Sequence, residues 1–147
     1  MKTSNTSIYI LGVSFDYHDS SATILKDGKV VAAIQEERLT RNKNTADYPE
    51  KAIEFCLKKA NISISELDQI VYYEKTLWKF ERIIKSSLKT FAESNRYFRK
   101  VCKNWVNNEK FSPLSKIHRR LGIPKDNISA IEHHQSHAAS AFYSSSL

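Results

Sequence analysis

The 147-residue sequence predicts an α/β fold, because two hydrophobic periodicities alternate along it. Apolar runs rich in β-formers and bounded by turn residues occupy 8–15, 21–25, 30–34, 68–73 and 128–131. Apolar positions at helical spacing fill 49–60 and 113–121. Asp27-Gly28 stands between the second and third runs, and that pair marks a tight hairpin because both residues tolerate positive φ. The first three runs therefore form an antiparallel meander, after which helices and strands alternate.

Each later element carries its own start or stop signal. The stretch 36–44, from Glu36 to Asn44, is dense in charge and predicts a solvated loop. Pro49 suits a first helical turn, where its missing N–H costs nothing, and Ala52, Ile53, Phe55, Cys56, Leu57 and Ala60 recur on one side of the helix that follows. Asn61 suits its end. Ser63 with Glu66 resembles a capping box for one brief turn before the fourth strand. From Leu77 to about Asn107 there is no Gly or Pro, and two apolar stripes, Leu77 to Phe91 and Tyr97 to Val106, predict two helices with a break near Ser94-Asn95. Pro113 opens a further helix that Gly122 closes. Residues 124–127 then turn the chain into the fifth strand, and the small-residue run Ala138-Ala139-Ser140-Ala141 predicts a final helix. The order β-β-β-α-β-α-β-α, with basic helices inserted at about 75–121, points to a ribonuclease-H-like α/β domain.

Composition narrows the class. One domain's length, an ordinary apolar fraction of 41% and a charged fraction of 27% describe a globular protein with a real core. No apolar run approaches the roughly 18 residues that cross a bilayer, and the polar N-terminus shows no secretory signal, so a cytoplasmic protein without a membrane partner is expected. Cys56 and Cys102 lie too far apart for a zinc-ribbon pattern and read as two reduced thiols. The net charge of +7 comes from one segment: residues 75–120 hold 13 Lys and Arg against 3 Asp and Glu. Such a stripe is an electrostatic footprint for nucleic acid or an anionic glycan, or simply the solvated face of helices.

Ligands in open α/β sheets collect at the carboxyl ends of strands, and two polar motifs fall there. After the first strand come Asp16, Tyr17, His18, Asp19 and Ser20. A His flanked by carboxylates can serve as a general base, and the serine hydroxyls and backbone N–H groups can bind an anion. The plain alternative is a hydrogen-bonded turn. After the fifth strand, Glu132-His133-His134-Gln135-Ser136-His137 places three of the chain's five histidines together. His133 and His137 share a helix face at i and i+4 and could hold one metal ion, with further carboxylate or phosphate ligands from elsewhere; His134, about 100° around the helix, suits a substrate contact better. The pattern is not HExxH, since position 134 is His, and solvated histidines at a polar junction are the plain alternative. Arg41 and Lys43 could grip phosphate.

Three stretches together resemble one family: Leu11 to Ala22 with its His18-Asp19-Ser20, Ala33 to Arg41 with its Glu36-Glu37-Arg38, and Glu132 to Tyr143 with His133 and His137. They are similar to the start of the O-carbamoyltransferases that include nodulation and antibiotic-tailoring enzymes, and Val71-Tyr72-Tyr73-Glu74-Lys75 fits the same pattern. The resemblance implies an actin/Hsp70-like half-domain, shared with the tRNA threonylcarbamoyl-transfer enzymes. It implies an enzyme that uses carbamoyl phosphate and ATP to make carbamoyl-adenylate, then passes the carbamoyl group to a hydroxyl of a small molecule or glycan. It also implies a divalent metal, iron or alternatively zinc, on His133 and His137, a transfer role for His18, and a carbamoyl or phosphate contact for Lys43 with Arg41 nearby. Asp16, Asp19, Ser20 and His134 would then face substrate.

Family enzymes are several times longer than this chain, and only three glycines leave no phosphate-cradling loop. The resemblance therefore implies an N-terminal part, residues 1–147, truncated at its C-terminus. That part would bind ATP weakly and turn over no carbamoyl group alone, and a separate chain carrying the remaining part would then be a partner. Two other readings stay open: a basic binding module, for which nucleic acid is the weaker candidate ligand, and a decayed reading frame without function.

Overall fold

A computed structural model describes residues 7–75, 81, 85, 103 and 112–144. The two helices expected over 77–107, and Cys102, lie outside the described residues, apart from Glu81, Lys85 and Lys103, which are helical.

The meander is formed by β1 (Tyr9–Ser14), β2 (Ser21–Lys26) and β3 (Lys29–Gln35). Its β2–β3 turn holds Asp27 at φ 50° and Gly28 at φ 78°, the two left-handed residues that an Asp-Gly hairpin requires. A short helix α1 (Glu36–Thr40) follows, then α2 (Glu50–Ala60), a 3-10 turn at Ile64–Glu66, and β4 (Gln69–Tyr72). The chain returns in α3 (Pro113–Leu121), a 3-10 turn at Lys125–Asn127, β5 (Ile128–Ala130) and α4 (His133–Ser144). The result is a mixed α/β domain with a five-stranded sheet in the order β3-β2-β1-β4-β5. β1 to β3 pair antiparallel, while β4 and β5 join in parallel.

Register explains the core. Ala32, Ile24, Leu11, Ile70 and Ile128 form one row across all five strands, and Ile34, Ala22, Val13, Tyr72 and Ala130 form the next. A side-chain period of two puts both rows on one face. Ala52, Ile53, Cys56 and Leu57 of α2 and Ile117 of α3 complete that cluster. Each helix ends as its local chemistry demands: Asn61 and Gly122 adopt left-handed conformations at φ 55° and 70°. The Glu66 carboxylate accepts the Ser63 N–H at 2.8 Å.

Two expectations are corrected. The charged stretch after β3 is not a plain loop: Glu36 to Thr40 wind into α1, closed by Arg41 at φ 63°. The reason is that Glu36 faces inward, where its carboxylate accepts N–H groups at the start of α2, while the Thr40 hydroxyl donates back to the Glu36 carbonyl at 3.0 Å. Pro49 caps α2 from the preceding position rather than entering the first turn, and the helix begins at Glu50.

Candidate functional site

β1, β4 and β5 run parallel, so their carboxyl ends share one edge of the sheet. Because β2 starts where β1 ends and β3 ends where β2 starts, α1 emerges at that same edge. All three polar motifs are thereby gathered on one side of the domain.

The 16–20 loop is built in two layers. Its inner residues fasten it. Phe15 is fully buried and its carbonyl accepts the Tyr72 hydroxyl at 2.9 Å. Asp16, at φ 68°, donates its N–H to the Ala46 carbonyl at 2.8 Å and accepts Lys116 Nζ on Oδ1 at 2.9 Å. Ser20 is also fully buried; both its N–H and its hydroxyl donate to the Thr45 carbonyl, at 3.0 and 3.1 Å. Ser20 thus holds the loop, and its hydroxyl points inward. Its outer residues are Tyr17 and His18, both exposed, with ring centroids 4.3 Å apart. His18 Nδ1 lies 2.7 Å from the Asp19 carboxylate, which can only accept. That contact places a proton on Nδ1 and leaves Nε2 of a neutral ring free to accept one.

The 41–46 loop lies against the first, through the Thr45 and Ala46 carbonyls. The acidic pair before it is structural. Glu36 is 4% exposed, and Glu37 Oε2 accepts the Asn44 N–H at 3.0 Å. Arg41 and Lys43 are exposed, and no ion pair engages either among the described residues. Neither hydrogen-bonds to His18 among those residues.

At the β4 and β5 ends, rings connect the loops. Phe15 and Tyr72 centroids are 4.9 Å apart, Tyr72 and Tyr73 4.9 Å, and Tyr73 and His133 5.8 Å. Burial pushes both phenols well above their ordinary pKa; for Tyr73 the Glu74 charge adds to it. Glu74 itself is 5% exposed. Lys75 and Glu132 approach to 4.0 Å across the β4–β5 edge.

His133 opens α4, and its Nε2 lies 3.2 Å from Nε2 of His137. Two imidazole nitrogens bound to one tetrahedral ion would stand about 3.3 Å apart, so this pair has the bite of a two-ligand chelate. Among the described residues no group of three or more His, Cys, Asp or Glu could hold a metal. A metal ion held here would need ligands beyond this pair. His134 points elsewhere on the helix and is exposed, its ring 5.6 Å from that of His133.

Two contributors escape sequence reasoning, Lys116 and Glu36 in its buried role; Tyr72-Tyr73-Glu74 enters it only within the family pattern, with no role of its own. Lys116 has no local signal, since its partner lies 100 positions away. Glu36 could have been suspected only by pairing it with the uncapped start of α2.

The carbamoyltransferase N-terminus model matches residues 9–147. The chain belongs to the carbamoyltransferase N-terminus family. It is 43% identical over 143 residues to the uncharacterized protein sll1178 of Synechocystis, covering 93% of this chain and 23% of that protein. It is 32% identical over 127 residues to the nodulation protein NolNO of Sinorhizobium fredii, covering 85% of this chain and 17% of the relative. This carbamoyltransferase domain thus spans about a quarter or less of the length of these relatives. The family expectation drawn from the three stretches is met. No helix among the described residues is long and apolar enough to cross a membrane.

Proposed function

We propose that this domain is the N-terminal part of an ATP-dependent O-carbamoyltransferase, a ribonuclease-H-like half of an actin/Hsp70-like unit. The observation that carries the reading is the gathering of the 16–20 loop, the 41–46 loop and the His133–His137 pair at one sheet edge. The strand order β3-β2-β1-β4-β5 supports the fold assignment.

In this reading His18 Nε2 accepts the proton of the acceptor hydroxyl, and Asp19 holds the ring with that nitrogen outward. Arg41 and Lys43, in no ion pair among the described residues, offer cations to the phosphates of carbamoyl phosphate or ATP. His133 and His137 donate two nitrogens to a divalent cation, iron or zinc, whose other ligands come from outside this set. When bound, that cation would offset phosphate charge. His134, Asp16 and Asp19 border the site, and Ser20 supports the loop from beneath. The acceptor is a hydroxyl-bearing small molecule or glycan. The 147-residue chain alone has an incomplete site and no carbamoyl turnover.

The test is release of AMP and pyrophosphate from ATP, dependent on carbamoyl phosphate. It is measured on this chain alone and on the chain produced together with any downstream coding sequence. Pyrophosphate release only in the second arm is the expected result; His18→Ala should keep it but lose the further release of AMP that an added hydroxyl acceptor elicits. Turnover by the isolated chain would refute its incompleteness. A His18→Ala protein as active as its parent would remove His18 from the chemistry.

A further inference from the structure

We infer that Lys116 is a positioning residue for the 16–20 loop, holding Asp16 in a left-handed backbone conformation so that His18 is presented at the sheet edge. The inference rests on the assignment of that loop to the transfer site.

Asp16 pays a conformational cost: a non-glycine residue at φ 68° sits in a sparsely populated region and persists only where its surroundings over-determine it. Two contacts do so. The backbone N–H is tied to Ala46, and Oδ1 receives Lys116 Nζ at 2.9 Å. Both side chains of the ion pair are mostly covered, at 19% exposure for Lys116 and 12% for Asp16. Water screens such a contact far less than a surface pair.

Lys116 is itself fixed by more than charge. Its ammonium stands 5.1 Å from the centroid of the Phe15 ring, one residue before Asp16. One helical turn on, the Arg120 guanidinium stands 5.7 Å from the Tyr48 ring, and Phe15 and Tyr48 meet edge-on at 5.2 Å. Two cations at i and i+4 of α3 therefore lie over two packed rings that flank the loop. Ile117, between them, is fully buried and anchors α3 to the sheet. The helix is thereby held against the sheet. Its single ammonium reaches the residue two positions before His18.

The probes are Lys116→Met, which keeps an unbranched apolar stem over Phe15, Lys116→Arg, which restores a cation, and Asp16→Asn, which removes the charge while tolerating positive φ. The first readout is the intraresidue amide–Hα NOE of residue 16 in the labelled 147-residue chain, strong only while φ is positive. The second is titration with carbamoyl phosphate, followed at the amides of residues 16–20. Lys116→Met is expected to lose the strong NOE and weaken the titration about 10-fold or more, the scale of one lost charge-assisted contact. Lys116→Arg should restore both. In the Asp16→Asn background, where the ion pair is already gone, Lys116→Met should change neither readout further. If the NOE persists unchanged in Lys116→Met, the inference is overturned. If the parent chain shows no response to carbamoyl phosphate, the functional reading fails at this ligand and the NOE alone decides the positioning role.

Discussion

The side-chain carboxylate of Glu36 accepts the backbone N–H of Ala52 at 2.7 Å, tying the start of α1 to the start of α2. A second N–H, from Lys51, reaches its other oxygen at 3.3 Å. The first N–H groups of a helix have no partner inside it, and Pro49 in the cap position supplies no side-chain acceptor. A buried negative charge at a helix N-terminus also meets the favourable end of its dipole. Glu36→Ala is expected to lower stability by about 2–3 kcal/mol in urea unfolding, because buried donors lose a charged acceptor. Glu36→Gln retains one oxygen and should cost less. A Glu36→Ala protein as stable as its parent would show that the carboxylate does not cap α2.

The histidine pair gives a prediction about metal. Cobalt or zinc should bind the 147-residue chain weakly through His133 and His137, whose Nε2 atoms are 3.2 Å apart. Calorimetry and the visible spectrum of the cobalt form measure it. His137→Ala should abolish the response, and His134→Ala should leave it intact, since His134 lies outside the pair. A His134→Ala protein that loses metal as fully as His137→Ala would discard the chelate.

Local chemistry is what the sequence reveals here. Asp27-Gly28, Asn61, Ser63 with Glu66, and Gly122 each act within a few residues, and each stands where its chemistry predicts. The parallel edge gathering two motifs followed from element order alone. Glu36 was misread because a run of charge looks solvated until α2 is known to start beneath it. Lys116 was invisible for the opposite reason: one lysine among the 13 basic residues of 75–120 carries no mark of the aspartate it meets across the fold. Side-chain destination in such cases is decided by tertiary packing, which periodicity does not encode.

Two surface carboxylates set an acid limit to stability. The backbone N–H of Ile8 holds the Asp27 carboxyl below its ordinary pKa, and the Ser63 N–H and hydroxyl do the same for Glu66. A lowered folded-state pKa contributes stability that is complete above the unfolded value and is lost as pH falls through the folded one. Thermal midpoints followed from neutral pH down through the carboxylate range should therefore fall more steeply for the parent than for Asp27→Asn with Glu66→Gln. Parallel curves would show that neither contact survives in solution.

Tyr72 joins the core to the site through one hydroxyl. It is 2% exposed, its ring packs 4.9 Å from that of Phe15, and its hydroxyl donates to the Phe15 carbonyl at 2.9 Å. That carbonyl immediately precedes Asp16, so the bond fixes the point where β1 gives way to the 16–20 loop. Burial raises the phenol pKa far enough that Tyr72 remains a protonated donor throughout the alkaline range in which exposed tyrosines ionise. Tyr72→Phe preserves the ring and removes only the donor, leaving a buried carbonyl short of a partner at a cost of about 1–2 kcal/mol. Denaturant unfolding measures that loss. Spectrophotometric titration provides an independent check: Tyr72 should contribute tyrosinate absorbance only as the fold opens, so the parent and Tyr72→Phe should coincide until unfolding and differ by one phenol beyond it. A difference of one phenol before unfolding would mean that Tyr72 is accessible, and that the bond to Phe15 is not what holds the loop.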